Sequence, residues 1–303
     1  METSFEPSGV LLIDKPAGIT SHDVVGKVRR LYHTRRVGHT GTLDPMATGV
    51  LVVLVGRAAK ASEYLVSDSK AYTATLRLGI TTDTEDTSGT VLSESKDIPT
   101  AARVFEVVNS LLGVSKQVPP MYSALKVGGQ KLVDLARRGV EIERAARDIT
   151  IHRITCKQID SHNYTLDVAC SSGTYIRTLC ADIGKTLGCG GAMASLRRTE
   201  TGGFSLDACH TLEALEALTD EERLAALIPT EALFAALPTL RLPAFYERLA
   251  RNGCEIYLKK LAISHPVGTR LRVCTQGGAF FALGEVRSFE KGDAVKLIKL
   301  FDI

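Results

Sequence analysis

Apolar residues along the chain follow two periods, and the places where one gives way to the other mark its elements. Residues 9–13 (GVLLI) and 49–55 (GVLVVLV) are short continuous apolar stretches bounded by turn residues, which predicts buried strands. Residues 70–78 (KAYTATLRL) alternate strictly, placing Tyr72, Ala74, Leu76 and Leu78 on one face and Thr73, Thr75 and Arg77 on the other. Residues 149–159 and 164–169 read as neighbouring strands. Helical spacing takes over elsewhere. Thr20 and Asp23 fit a capping box ahead of Val24, Val28, Leu31 and Tyr32. Residues 58–65 and 100–112 predict further helices, and Ile176, Leu179, Cys180, Ile183 and Leu187 form the single stripe of a helix that opens near Gly173. Two more, rich in Ala, Leu and Glu, are expected between residues 206 and 237.

The pattern changes near residue 238. PTLRLP (238–243) reads as a linker, and beyond it short alternating runs at 269–273, 280–286 and 295–301, with a Gln276-Gly277-Gly278 turn, predict a small second β-rich domain from about 239 to the end. Residues 114–146 are the least regular stretch, with Pro119-Pro120, Gly128-Gly129 and one short helix near 132–138. A long insertion of that kind in a compact domain is more often functional than filler.

Composition narrows the function classes. The chain has 303 residues, 45% hydrophobic and 23% charged, which suits a soluble protein of roughly two domains at ~100–200 residues each. The longest apolar run is far short of the ~20 residues that span a bilayer, and the N-terminal METSFEPSG lacks the basic and apolar regions of a secretory signal, so a cytoplasmic protein is expected. Seven cysteines without a C-x-x-C pair read as reduced thiols, and no metal is expected. The net charge of +3 is small, but residues 126–153 alone carry seven Lys or Arg against four Asp or Glu, so its distribution matters more than its sum.

The most specific stretch is residues 38–49, GHTGTLDPMATG. Three glycines and Pro45 make it an irregular loop, and it leads straight into a buried strand that can aim its side chains. Asp44 at its centre is a candidate active-site carboxylate. By itself Asp-Pro is also a common turn, and Asp in such loops often bonds local amides. A phosphate-cradling loop is disfavoured, because no Lys follows the glycines at the required spacing.

This string closely resembles the signature of the TruB family of tRNA pseudouridine synthases. So, in order, do GVLLIDKPAGITSHDVV (from Gly9), KAYTATLRLGITTDTED (from Lys70), YSALKVGGQKL (from Tyr122), GTYIRTLCADIG (from Gly173) and GAMASLRRTETGGF (from Gly191). The resemblance implies isomerisation of the tRNA T-loop uridine, conventionally position 55, to pseudouridine, with the glycosidic bond moving from N1 to C5 of uracil. Asp44 matches the nucleophile, Arg177 its cationic partner, and Tyr72 an aromatic that stacks on the flipped base and is the family's proposed proton acceptor from C5. Tyr175 and Leu196 match pocket walls, His39 a residue that fills the space left by the extruded base, and Lys15 a lysine supporting the active-site loop and grouped with the substrate-binding set. Lys126, Arg137 and Arg138 match contacts of an RNA-clasping thumb, with Arg197 and Arg198 as further candidates for phosphate. Val133 stands where the family commonly has Tyr.

The implied fold is α+β. It has a central mixed, largely antiparallel sheet flanked by helices, a catalytic domain over residues 1–237 with the basic insertion at about 114–146, and a C-terminal PUA-like β-barrel over 239–303. No cofactor is implied, since isomerisation moves no electrons off the substrate. The partner implied is the T-arm stem-loop of tRNA, with no membrane, no obligatory protein partner and a monomeric state. A tRNA-binding chaperone is the rival reading. An RNA methyltransferase is disfavoured because no Gly-rich turn suits a nucleotide-like cofactor.

Overall fold

The structure, a computed structural model, describes residues 6–65 and 69–301; the first five residues of the polar N-terminal stretch lie outside them. Strands β1 (Gly9–Lys15), β2 (Val37–Thr40) and β3 (Thr48–Val55) begin the main sheet. β1 and β3 pair antiparallel, and their alternate residues enter different layers. Leu11, Ile13, Leu51, Val53 and Val55 join the principal core, while Val10, Leu12, Val50, Val52 and Leu54 pack with Ala58 on the other side. Burial on both faces is why these strands read as unbroken apolar runs.

β4 (Ser69–Leu78) is covered on one face only. Tyr72, Ala74, Leu76 and Leu78 are buried, as its alternation predicts. After the small pair β5 (Ile80–Thr82) and β6 (Val91–Glu94) come β7 (Gly113–Gln117), the hairpin β8 (Lys126–Val127) and β9 (Gln130–Lys131), then β10 (Arg147–Gln158), β11 (Asn163–Ser171), β12 (Gly191–Thr201) and β13 (Phe204–Ser205). Among the described residues the main sheet has nine strands in the order β1-β3-β12-β4-β11-β10-β7, with β2 on β3 and β13 on β12. Only β12 with β3 is parallel. Helices α1 (Ser21–Leu31), α2 (Ala101–Asn109) and, after the short α3 (Leu132–Ala136), α4 (Ile176–Leu187) bury Val24, Val28, Val104, Val108, Leu179 and Ile183 in the principal core. The capping box at Thr20 and Asp23 forms.

Two glycines are required by close approach. A Cβ on Gly49, where φ is +101°, would stand 2.1 Å from the backbone oxygen of Arg198, so the parallel contact of β3 with β12 needs glycine. One on Gly184 in α4 would meet the Gly191 nitrogen at 2.0 Å, which lets the helix lie directly on β12.

Past the short helices α5 (Leu212–Ala217) and α6 (Asp220–Ala225), the chain builds a second, curled five-stranded sheet, with strands β14 (Thr239–Leu242), β15 (Ile256–Tyr257), β16 (Arg270–Thr275), β17 (Phe280–Phe289) and β18 (Gly292–Leu300). Its order is β14-β16-β17-β18-β15. Helices α7 (Ala244–Arg251) and α8 (Leu258–Leu261) cover it, and Leu242, Leu271, Val273, Phe281 and Val286 form a core of its own. Phe234, Phe280 and Phe301 cluster where the two parts meet, with ring centroids 5.3–5.9 Å apart. The α+β architecture is as expected, and the C-terminal sheet is consistent with a PUA-like domain. No helix of the described residues is long and apolar enough to cross a membrane.

Several local expectations are corrected. Residues 238–243 are not a free linker, because β14 lies inside them and pairs parallel to β16. Gly38 and His39 belong to β2, so the irregular loop begins after Thr40. The segment expected to be helical at 58–65 is a 3-10 helix, Gly56–Tyr64. The two helices expected over residues 206–237 are short, Leu212–Ala217 and Asp220–Ala225, and 3-10 turns stand on either side of them. Residues 114–117 belong to the main sheet through β7, which confines the irregular insertion to residues 118–146. For β2, β7 and β14, pairing with another strand overrides a local propensity that is only a weak prior.

Candidate active site

The loop that carries Asp44 is held from below. The Ser21 hydroxyl, at the start of α1, donates to the Leu43 carbonyl (3.1 Å) and accepts from its amide (2.9 Å). The Gly18 amide donates to the Pro45 carbonyl at 2.8 Å. Lys15 is fully buried, and its ammonium donates to the carbonyls of Pro16 (2.8 Å), Pro45 (3.2 Å) and Ala47 (2.7 Å). Lys15 thus meets backbone oxygens of the loop and takes no part in lining the cavity beside Asp44. Burial pulls its pKa down to about 8, with the Asp44 charge acting in the other direction.

Arg177 faces Asp44 across the cleft. Its Nε lies 2.9 Å from Oδ2 of Asp44 and its Nη2 donates to Oδ1 at 3.3 Å, a two-pronged contact. The guanidinium is itself fixed, donating to the Thr84 carbonyl (3.1 Å) and the Tyr122 carbonyl (2.7 Å). Arg177 stands in the first turn of α4, and Gln117 at the end of β7 anchors that turn by accepting from the Tyr175 amide (2.8 Å) and donating to its carbonyl (3.0 Å). Arg177 is only 5% exposed, not the surface arginine that a helix start alone would suggest. A second carboxylate, Asp86, is buried with Oδ2 4.0 Å from the Arg177 Nε, its Oδ1 taken up by Thr84 and Ser88. Burial pushes the Asp44 carboxyl above its ordinary range, the Arg177 charge pulls it back, and Asp86 adds to the upward push.

Asp44, Arg177, Tyr72, Tyr175 and Leu196 line one cavity of about 310 Å³, together with Lys70 and Ser123. Five candidates scattered through the sequence therefore converge. Tyr72 sits near the end of the buried face of β4, and burial raises the pKa of its hydroxyl while the Arg198 charge opposes that rise. Burial raises Tyr175 as well. A larger concavity, about 930 Å³, opens elsewhere between α4, the β5–β6 pair and the base of the insertion; Asp44, Tyr72 and Arg177 take no part in its lining.

The remaining candidates stand apart from this cavity. His39 is half-buried on β2, its Nδ1 enclosed without a hydrogen-bond partner, and burial and the nearby Arg198 keep its pKa low. Lys126, Arg137 and Arg138 are exposed on the insertion, Arg138 bonding the Asp134 carbonyl and Gln130. Arg197 pairs with Asp14 at 2.7 Å. Arg198 corrects the expectation of a phosphate contact: it is fully buried and donates to the carbonyls of Val50 (2.7 Å) and Gly41 (2.9 Å). Leu196, which the resemblance placed in the pocket wall, lies two residues before Arg198 on β12, and both are buried on the same face. Asp86, Gln117 and Lys70 had no such individual signal. Among the described residues no group of three or more His, Cys, Asp or Glu could hold a metal.

Comparisons with known proteins bear on the family and the fold. The family described as TruB family pseudouridylate synthase (N terminal domain) matches residues 29–176, and the tRNA pseudouridylate synthase B C-terminal domain matches 177–235. The tRNA pseudouridine synthase B of Alkaliphilus oremlandii is 43% identical over 97% of this chain and 98% of its own. That of Bacillus licheniformis is 50% identical over 70% of this chain and 71% of its own. Among solved structures, a chain of a Cbf5-Nop10-Gar1 complex superposes with a TM-score of 0.71 at 25% identity, covering 97% of this chain and 85% of that one.

Proposed function

The chain belongs to the TruB family of pseudouridylate synthases, isomerases that act on tRNA, and on that premise we propose that it converts the T-loop uridine to pseudouridine with Asp44 as nucleophile. The observation that carries this reading is the two-pronged contact of the Asp44 carboxylate with a buried arginine inside a cavity large enough for a base. Detaching uracil without losing it calls for a transient bond to the substrate, and an ionised carboxylate supplies one. Arg177 favours the ionised carboxylate against the burial that opposes it. The uridine is extruded from its stack at a cost of a few kcal/mol, lies against Tyr72, and is enclosed by Tyr175 and Leu196. Once C5 is joined to C1′, Tyr72 takes the C5 proton.

Residues 1–237 form the catalytic unit and residues 239–303 an RNA-binding one. The insertion clasps the T-arm through Lys126, Arg137 and Arg138, and His39 fills the space the base has left. The enzyme works as a cytoplasmic monomer without a protein partner or cofactor.

The test is tritium release from [5-³H]uridine-labelled T-loop RNA. The native chain releases tritium, and Asp44→Asn releases none while binding tRNA within a few-fold, because one carboxylate adds little to an interface dominated by phosphates. Turnover by Asp44→Asn would exclude Asp44 as nucleophile. No release by either, with tight binding, would leave a tRNA-binding protein. The native rate also falls on acidification, with a midpoint above the ordinary carboxyl range, as Asp44 becomes protonated.

A further inference from the structure

Arg198 carries a charge that attack by Asp44 and stacking on Tyr72 leave unused. It is fully buried, and its Nε and Nη2 bond to two neutral carbonyls, those of Val50 and Gly41. Enclosing a guanidinium costs several kcal/mol, and proteins ordinarily offset this with a carboxylate. What stands opposite Arg198 is a tyrosine. In the register of β12 on β4, Arg198 pairs with Tyr72, and directly paired residues project to the same face with Cβ atoms ~4.5–5.5 Å apart. On the other side of Arg198, β3 presents Gly49, which has no side chain to offer it.

The other groups around Tyr72 do not do the same work. Lys70 lies two residues along the same face of β4 and lines the cavity. Cys170 reaches it from β11, and Asp44, Tyr175 and Arg177 from the loop and the start of α4. Burial, Cys170 and Asp44 all disfavour the ionised tyrosine, and Arg198 is the charge that favours it.

We propose that Arg198 is a positioning residue for the proton transfer, its buried guanidinium fixing the Tyr72 hydroxyl and stabilising the phenolate that accepts the C5 proton. The phenolate oxygen takes the proton, the electron pair of the C5–H bond closes the C5–C6 double bond of pseudouridine, and the pair that C6 shared in its double bond to N1 returns to N1, which takes a proton from solvent. The phenol then returns its proton to solvent. Through the Gly41 carbonyl the same guanidinium ties the Asp44 loop to β12, so nucleophile and base are set by one side chain. This inference rests on the reading of Tyr72 as proton acceptor.

The experiment places 3-fluorotyrosine at position 72 and follows its ¹⁹F shift with pH in the otherwise native chain, Arg198→Lys and Arg198→Met, alongside tritium release by the same three backgrounds without the label. In Arg198→Met the ionisation midpoint rises by about one unit or more, a tenfold loss of phenolate, and release slows by a similar factor with a larger isotope effect at C5. Arg198→Lys, which keeps the charge, recovers most of the midpoint. Arg198→Gln, which keeps an amide donor for the two carbonyls, replaces Arg198→Met if that variant does not fold. An unmoved midpoint in a folded neutral variant, or equal midpoints and rates in Arg198→Lys and the neutral variant, would overturn the proposal. Tyr72→Phe turning over at the native rate would overturn the reading beneath it instead.

Discussion

At the scale of single residues, two of the buried cations at the site, Arg177 and Lys15, have partners that differ in kind. Arg177 meets a carboxylate, whereas Lys15 meets three carbonyl oxygens and so fixes backbone. Because the folded pKa of Lys15 is depressed to about 8 from 10.5, the folded chain binds fewer protons than the unfolded chain between those values. The contribution of this group to stability therefore rises with pH across that window, by about 3 kcal/mol in full, and is smallest below pH 8. Lys15→Met relieves the buried charge but strands three carbonyls at ~1–3 kcal/mol each, so it should be less stable than the native chain at pH 7. Urea unfolding at pH 7 and pH 10 checks both statements: subtracting the variant's pH dependence from the native one should leave a positive difference. A difference of zero would mean that burial does not lower the Lys15 pKa below its unfolded value.

At the scale of elements, the insertion has a fixed base and an exposed tip. Its base reaches the active site through the Tyr122 carbonyl on Arg177, and Leu132 and Leu135 are buried. The β8–β9 hairpin and the end of α3 present Lys126, Arg137 and Arg138 to solvent. A basic tip on an anchored base suits backbone contacts to RNA, which are electrostatic and salt-dependent. Lys126→Ala combined with Arg137→Ala should weaken tRNA binding and lower the steepness of log K against log salt by about 1–2, at roughly 0.7–0.9 for each phosphate no longer neutralised. A binding isotherm series over salt concentration that keeps its slope would remove the insertion from the RNA interface.

At the scale of the molecule, two sheets with separate cores are joined by an aromatic cluster. Phe234 is 3% exposed and packs on Phe280 and Phe301, with Ala61 and Leu283 beside them. Phe234→Ala opens a cavity at that junction and should cost ~3–5 kcal/mol if the two parts unfold together. Scanning calorimetry would then show one transition at lower temperature. Two transitions, with the larger at its native temperature, would mean that the junction contributes little to the stability of the main sheet. The charge is also uneven at this scale: residues 239–303 hold eleven Lys or Arg against six Asp or Glu, a larger excess than that of the whole chain.

Much of this architecture is readable from the chain. Strict alternation in residues 70–78 determines which side chains of β4 are buried, and the glycines and Pro45 mark the Asp44 loop, because period and backbone restriction are local properties. Ordered motifs along the chain identify the family and, through it, Asp44, Tyr72 and Arg177. Sequence alone misjudges residues whose state depends on what lies opposite. Arg198 reads as a candidate phosphate contact and is fully buried opposite Tyr72, β14 reads as a linker and is a strand, and Asp86, which has no individual signal in the sequence, is buried beside Arg177. Periodicity records which face a residue takes. Which distant strand or loop covers that face is decided by sheet order and register, and those exist only once the chain has folded.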